Sequence, residues 1–307
     1  AGFAVILNTQ QHRGLSAGVL GGSRELAPQR EQKAADLRAA IAALDGVIAS
    51  EAGWSALQGG WQTQRVELLR LADSGLTLSG PDNFRAHTTT IEGLLRWLGE
   101  LGDASGLALD PDAASANLIG PLLTTLPELS ERLGQLRARG TGISARRELP
   151  QGDEHAVVAL LAEIARAESV LVERLRRTAA ANSALAVRVE SMGREISASV
   201  AEVRNATVRE LLEQGFALGS GEFFALVTRS IDTAVRNFDQ VLRPEVGRLL
   251  EERQQALSTR LGTQIAVSVV AMLLAGYLFI GIYLAILRSV RELSAGAQAF
   301  AAGDYRS

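Results

Sequence analysis

The chain has 307 residues, no cysteine, and 31 basic side chains against 34 acidic ones. This excludes disulfides, thiolate metal sites and cysteine nucleophiles, and it excludes a nucleic-acid binder relying on bulk positive charge. Aromatics at 5% and 7 prolines, in a sequence dominated by Ala, Leu, Arg and Glu, are the composition of long helices rather than of a sheet.

The opening AGFAVILNT is uncharged but too short to span a bilayer. Residues 1–8 read as the outer end of a first membrane helix, with a frayed soluble terminus as the alternative. Gly21-Gly22-Ser23 ends a first helix. A second, over about 28–50, places Ala34, Leu37, Ile41, Leu44 and Ile48 in steps of three and four. A third runs from about Trp54 to Leu78. Ser79-Gly80-Pro81-Asp82 then stops it and starts a fourth, with Phe84, His87, Ile91, Leu94, Leu98 and Leu101 on one seam. Asp110-Pro111-Asp112 opens a fifth helix, which Pro121 and Pro127 should kink or break. Residues 140–152 read as the longest polar linker.

A sixth helix, over about 153–214, carries Leu171, Leu175, Thr178, Asn182, Leu185, Val189, Met192 and Ile196 on a continuous seam. Gly219-Ser220-Gly221 turns into a seventh, which starts at Glu222 and meets an interruption at Pro244. Nothing has the two-residue period of a strand. The expected fold class is all-α, a long antiparallel helical bundle continuing into a transmembrane helix. A sixth helix of ~60 residues would be ~90 Å long. The shorter helices beside it would then form two stacked bundles.

From Leu261 to Leu287 no residue is charged, and Arg260 and Arg288 bracket the run. A bilayer core takes ~20 apolar residues in helical form, and a buried core helix rarely runs this long without a charge. Arg288, Arg291 and Arg306 beyond the run lean toward an inside C-terminus. The expected layout is 1–8 as the end of a membrane helix, 9–260 as a periplasmic sensor, 261–287 as a transmembrane helix and 288–307 as the start of a cytoplasmic element.

Three stretches resemble bacterial receptors. QQHRGLSAGVLGG at 10–22, followed by QREQKAADLRAAIAAL, resembles the opening of periplasmic nitrate- and nitrite-sensing domains, where a helix leaving the membrane carries an Arg-Gly-Leu-Ser-like signature. LLAEIARAESVLVERL and EFFALVTRSIDTAVRNFDQ resemble later helices of such domains. SVRELSAGAQAFAAGDYRS resembles the first helix of a HAMP domain, a small signal-converting coiled coil. Its closing Ala-Ala-Gly-Asp is the most recognisable part, and Ser289 stands where a proline is usual. The resemblance implies the sensor region of a receptor in the bacterial inner membrane, of the methyl-accepting chemotaxis type. A histidine kinase or a nucleotide cyclase is the alternative output. The seams and the HAMP-like helix favour a homodimer, and a further C-terminal module would engage cytoplasmic signalling proteins. A ligand-free structural stalk is the alternative of a different class.

Four residues are candidate ligand contacts. Arg13 lies on the line Ile6, Gln10, Arg13, Ala17, Leu20, which puts a guanidinium on a partly apolar face. A planar fork suits a bidentate oxyanion such as nitrate or a carboxylate, with Gln10 one turn away. The alternative is an internal salt bridge to a bundle Glu or Asp. His87 sits on the fourth helix's seam, either as a contact or as a satisfied core residue, with Thr88, Thr89 and Thr90 following. Arg174 matches an arginine of a later helix in the resembling family, and the resemblance implies a ligand role for it. His12 and His155 lack metal-ligand spacing, and no HExxH, P-loop or nucleophile triad stands out. No metal, cofactor or enzymatic activity is expected. The expected partners are a small-molecule or anion ligand, the membrane and a second copy of the chain, with no nucleic acid.

Overall fold

The computed structural model describes residues 1–22, 24–50 and 52–301. Among them there is no strand. The helices in chain order are α1 (Gly2–Leu20), α2 (Ala27–Ser50), α3 (Ser55–Ser74), α4 (Gly80–Ala104), α5 (Ala113–Gly120), α6 (Leu126–Arg146), α7 (Gln151–Ala181), α8 (Ser183–Thr207), α9 (Ser220–Asn237) and α10 (Arg243–Ala301). Ser23, the last residue of the expected first turn, lies outside the described residues.

Residues 1–247 form one compact unit. Its first four helices make a bundle. α2 buries Ala34, Leu37, Ile41, Leu44 and Ile48, the set its stepping marks out. α1 runs antiparallel to α4, so that Gly2 lies against Trp97 and Leu98 while Arg13 reaches Thr88. The opening residues are packed within this unit. Val5 and Ile6 are buried, and the Phe3 ring stands 4.1 Å from that of Phe238. A serine cap at Ser79, which accepts from the Asp82 amide, and Pro81 in the first turn start α4 where the sequence places it.

The remaining helices make a second bundle. α7 runs back along α5 and α6, tied by Arg139–Asp153 at 2.6 Å and Arg132–Glu163 at 2.7 Å. The sixth helix expected from the sequence is two helices. It turns back at Asn182, which is extended (φ −143°, ψ 98°) and caps α8 by accepting from the Ala184 amide. The seam ran unbroken through that residue because both arms of the hairpin bury the same aliphatic spacing. One hairpin thus replaces the ~90 Å rod, and the expected stacking loses its long spine.

The 140–152 linker is also shorter than expected. α6 continues to Arg146, and Gly140 is a buried crossing point rather than a turn, since a Cβ there would overlap the Phe223 ring of α9. Helical structure runs on through Pro121, Pro127 and Pro244 without a break. A π-helical stretch over Pro121–Thr125 precedes Pro127, and another over Phe238–Leu242 precedes Pro244. A wider turn of this kind absorbs the missing proline N–H and the ring's clash with the preceding turn.

The two bundles join along α1 and α6, which run in the same direction. Gln10 meets Glu131, Arg13 meets Gly134, and Gly14 meets Arg137. The functional side chains lie at this junction.

Residues 248–307 form a second unit, helical to Ala301. Its most apolar stretch has a mean hydropathy of 2.5 with none of it buried. Met272, Leu273, Tyr277, Phe279 and their neighbours stand open. Water would penalise that surface at roughly 25 cal/mol per Å². The helix is long and apolar enough to cross a membrane, and lipid is the solvent that suits it. The closing Ala-Ala-Gly-Asp of the HAMP-like segment lies, apart from Ala301, outside the described residues.

Candidate functional site

α1 turns a polar face inward. It buries Thr9, Gln10, His12, Arg13 and Ser16, steps of three and four that an ordinary core helix would fill with aliphatic side chains. Polar groups removed from water must find partners. Arg13 is almost fully buried, at 1% exposure, and forks onto Glu131 of α6, itself at 0%. Its Nη1 donates to Glu131 Oε1 at 2.6 Å and its Nη2 to Oε2 at 3.1 Å. Nη1 also donates to Thr88 Oγ1 at 2.9 Å, and the Phe84 ring lies 5.0 Å from the guanidinium carbon. Glu131 accepts two further bonds, from Gln10 Nε2 at 3.1 Å and Gln135 Nε2 at 2.7 Å. Ser130 donates to Gln10 Oε1 and fixes that amide.

A second guanidinium lies close by. Arg137, two turns along α6 from Ser130, donates to Thr228 Oγ1 of α9 at 3.0 Å and stacks 4.7 Å from the Phe224 ring. Burial, and then the charge of Arg13, push its pKa down to about 10, against the opposing pull of Asp232 and Glu131. It remains a cation at neutral pH. Among the described residues Arg137 has no ion pair, so two buried guanidiniums face one buried carboxylate.

The arginines cross over glycines of the facing helices. A Cβ on Gly134 would stand 3.1 Å from Arg13 Nη2, and one on Gly14 would stand 3.7 Å from Arg137 Nη2. Each arginine therefore lies over the glycine of the opposite helix, closely at Gly134 and in ordinary van der Waals contact at Gly14.

His12 and His87 pair behind this cluster. His87 Nδ1 stands 2.8 Å from the Asn83 carbonyl, which can only accept, so Nδ1 carries the proton. His87 Nε2 is then an acceptor for His12 Nδ1–H at 2.9 Å. That leaves the lone pair of His12 Nε2 buried and without a partner. Burial is the main cause that drives His12 down to about 3 and His87 to about 4, so both rings are neutral at pH 7.

Of the four sequence candidates, Gln10 and Arg13 meet on Glu131, while His87 lies beside them, bonded to His12 and the Asn83 carbonyl rather than to the ion pair. Arg174 does not. It is exposed on α7, with Nη1 3.4 Å from Asn117 Oδ1. The internal salt bridge weighed for Arg13 is present. Glu131 and Arg137 escaped the sequence reading. Ser130, Gly134, Arg137, Gly140 and Ser144 form a buried stripe on α6 in steps of three and four. Small residues with one arginine among them are the signal of a close helix crossing around a buried charge.

Elsewhere, a cleft of about 600 Å³ between α8 and α9 is lined by Glu202, Glu222, Arg209 and Arg229, whose charges balance. No group of three or more metal-ligating side chains occurs among the described residues.

No curated protein and no solved structure matches the chain. The family of nitrate and nitrite sensing domains matches residues 4–246, nearly the whole of the first compact unit, and the apolar helix follows directly. A sensor module joined to a helix fit for a membrane is thus the coarse plan, and the chain belongs to the nitrate and nitrite sensing family.

Proposed function

We propose that the chain senses a small planar oxyanion, nitrate or nitrite, at the α1–α6 junction. The observation that carries this reading is the surplus of buried positive charge, with Arg13 and Arg137 at 1% and 7% exposure and Glu131 as their only buried counter-charge among the described residues. A buried cation without a counter-charge is costly, and an incoming anion removes that cost. Thr88, Thr228 and the amide of Gln10 supply neutral hydrogen-bonding groups around the charges. The family match supports nitrate and nitrite as the anions.

The signal leaves through α9. Arg137 touches Thr228 and Phe224 of that helix, which leads through the π turn into α10. A change in how the arginines are held becomes a small shift or rotation of α9, and packed helix interfaces respond to such shifts between discrete arrangements. In this reading the bundle is periplasmic in the bacterial inner membrane, the receptor is a homodimer, and residues 288–307 begin a HAMP domain. The output is of the chemotaxis type, with a histidine kinase or a nucleotide cyclase as the alternative, since a HAMP-like segment serves all three.

Calorimetric titration of the chain in lipid nanodiscs with nitrate, nitrite, formate and sulfate tests the reading. Nitrate and nitrite should bind, sulfate should bind far more weakly, and Arg13→Ala should abolish the nitrate heat while circular dichroism still shows helix. A folded wild type that binds none of these anions would remove the anion-sensing reading. The assignment of a membrane-linked family member would stand.

A further inference from the structure

Glu131 holds Arg13 in the geometry a planar oxyanion needs. Its two oxygens take one hydrogen bond from each Nη atom, as two oxygens of nitrate or nitrite would. No donor is spare on the facing edge of that fork. Gln10 and Gln135, the amides nearest the carboxylate, are also turned toward it. An anion from solution therefore meets a fork already closed by an intramolecular carboxylate.

We propose that Glu131 is the resting occupant of the anion site, and that ligand binding is an exchange in which the oxyanion takes the Arg13 fork and frees Glu131. The inference rests on the anion-sensing reading and deepens it. Three consequences follow from the geometry. The competing carboxylate lowers the fraction of receptor ready to bind, so apparent affinity is weaker than the fork alone would give. That sets the threshold of the sensor by charge rather than by shape. The exchange also selects anions that reproduce a carboxylate's paired oxygens, because those match the fork bidentately. Finally, Gln10 on α1 and Gln135 on α6 lose their shared acceptor when Glu131 leaves. The tie between the two bundles is thereby remade, which gives a ligand that touches only side chains a means of moving helices.

The test is nitrate titration of the chain in nanodiscs, wild type beside Glu131→Gln and Glu131→Asp. Glutamine keeps the size and one acceptor oxygen but removes the charge. Aspartate keeps the charge but draws the carboxylate back by one methylene. Glu131→Gln should bind nitrate at least about tenfold more tightly than wild type, and Glu131→Asp should fall between them. Nitrate should also raise the melting temperature of Glu131→Gln more than that of wild type. Binding by Glu131→Gln alone would support the exchange in its strongest form. Unchanged or weaker nitrate binding in folded Glu131→Gln, with wild type binding normally, would make Glu131 a fixed partner of the site and overturn the exchange while leaving the sensing reading intact. Should Glu131→Gln not fold, an Asp variant with wild-type affinity would overturn it equally. No binding by any of the three would remove both.

Discussion

α8 buries Leu185, Val189, Met192, Ile196, Val200 and Val203, an aliphatic residue every three or four positions, with α7 as its antiparallel neighbour. α1 uses the same spacing to bury Thr9, Gln10, His12, Arg13 and Ser16. Both helices are packed, but the demands differ. Aliphatic groups need only matching volume, and many combinations satisfy the α7–α8 hairpin. Each polar group on α1 needs a particular partner at a particular distance, and a missing partner leaves a desolvated charge or hydrogen-bonding group. The hairpin is scaffold, whereas the α1–α6 junction is poised so that a change in one partner is felt by the others.

The largest break in that contrast comes at the ion pair. Arg13→Ala leaves Glu131 buried and unpaired and should destabilise the sensor by ~3–5 kcal/mol. Replacing both partners, as Arg13→Met with Glu131→Leu, should recover most of the loss, because a buried pair is often no better than a well-packed apolar one. Chemical denaturation in detergent, read by circular dichroism, checks both. A scaffold change such as Ile196→Ala also lowers stability, by ~2–5 kcal/mol, but no change of a charged partner rescues it.

Acid should probe the same region. The unfolded chain takes up protons on His12 and His87 near the ordinary value of 6.5, whereas the folded rings resist until about 3 and about 4. The unfolded state therefore binds more protons as pH falls through this window, and stability drops between pH 6.5 and about 4. Arg30, Arg38 and Arg13 near the pair work in the same direction, and Glu67 opposes them at His87. The melting temperature of wild type should fall more steeply across that window than that of a His12→Leu/His87→Leu double variant. Parallel slopes would show that the pair does not carry the effect.

Two smaller effects sharpen the scaffold side. Gly140→Ala forces a methyl group into the Phe223 ring at the α6–α9 crossing and should cost ~1–3 kcal/mol, with little rescue because the ring is buried. Asn182→Ala removes the cap at the α7–α8 turn and should cost ~1 kcal/mol. Thermal melts rank them, and a neutral Gly140→Ala would mean that α9 can retreat from α6.

Helix existence and the buried faces of α2 and α4 were legible because a seam of apolar residues reports which side meets a neighbour. Arg13 was legible for the converse reason, a charge on a line that should be apolar. Asn182 was hidden, since period alone cannot distinguish one long helix from two arms that bury the same spacing. Gly140 misled because a glycine that permits close helix approach looks in sequence like one that ends a helix. Glu131 and Arg137 were invisible as partners. They sit in a charged, surface-like stretch, and only the fold sets them against α1, with Glu131 118 positions after Arg13.

Arg137 offers the most direct test of the anion site, because its removal leaves no carboxylate stranded. Arg137→Met keeps an unbranched apolar side chain and removes the charge, the bond to Thr228 and the guanidinium's stacking on the Phe224 ring. Loss of a charge-assisted contact is worth ~1.5–3 kcal/mol, or about ten- to a hundredfold in affinity. Nitrate titration of folded Arg137→Met should therefore show binding weakened by at least about tenfold. Wild-type affinity in that variant, at an unchanged melting temperature, would contradict a nitrate site built on the two buried arginines.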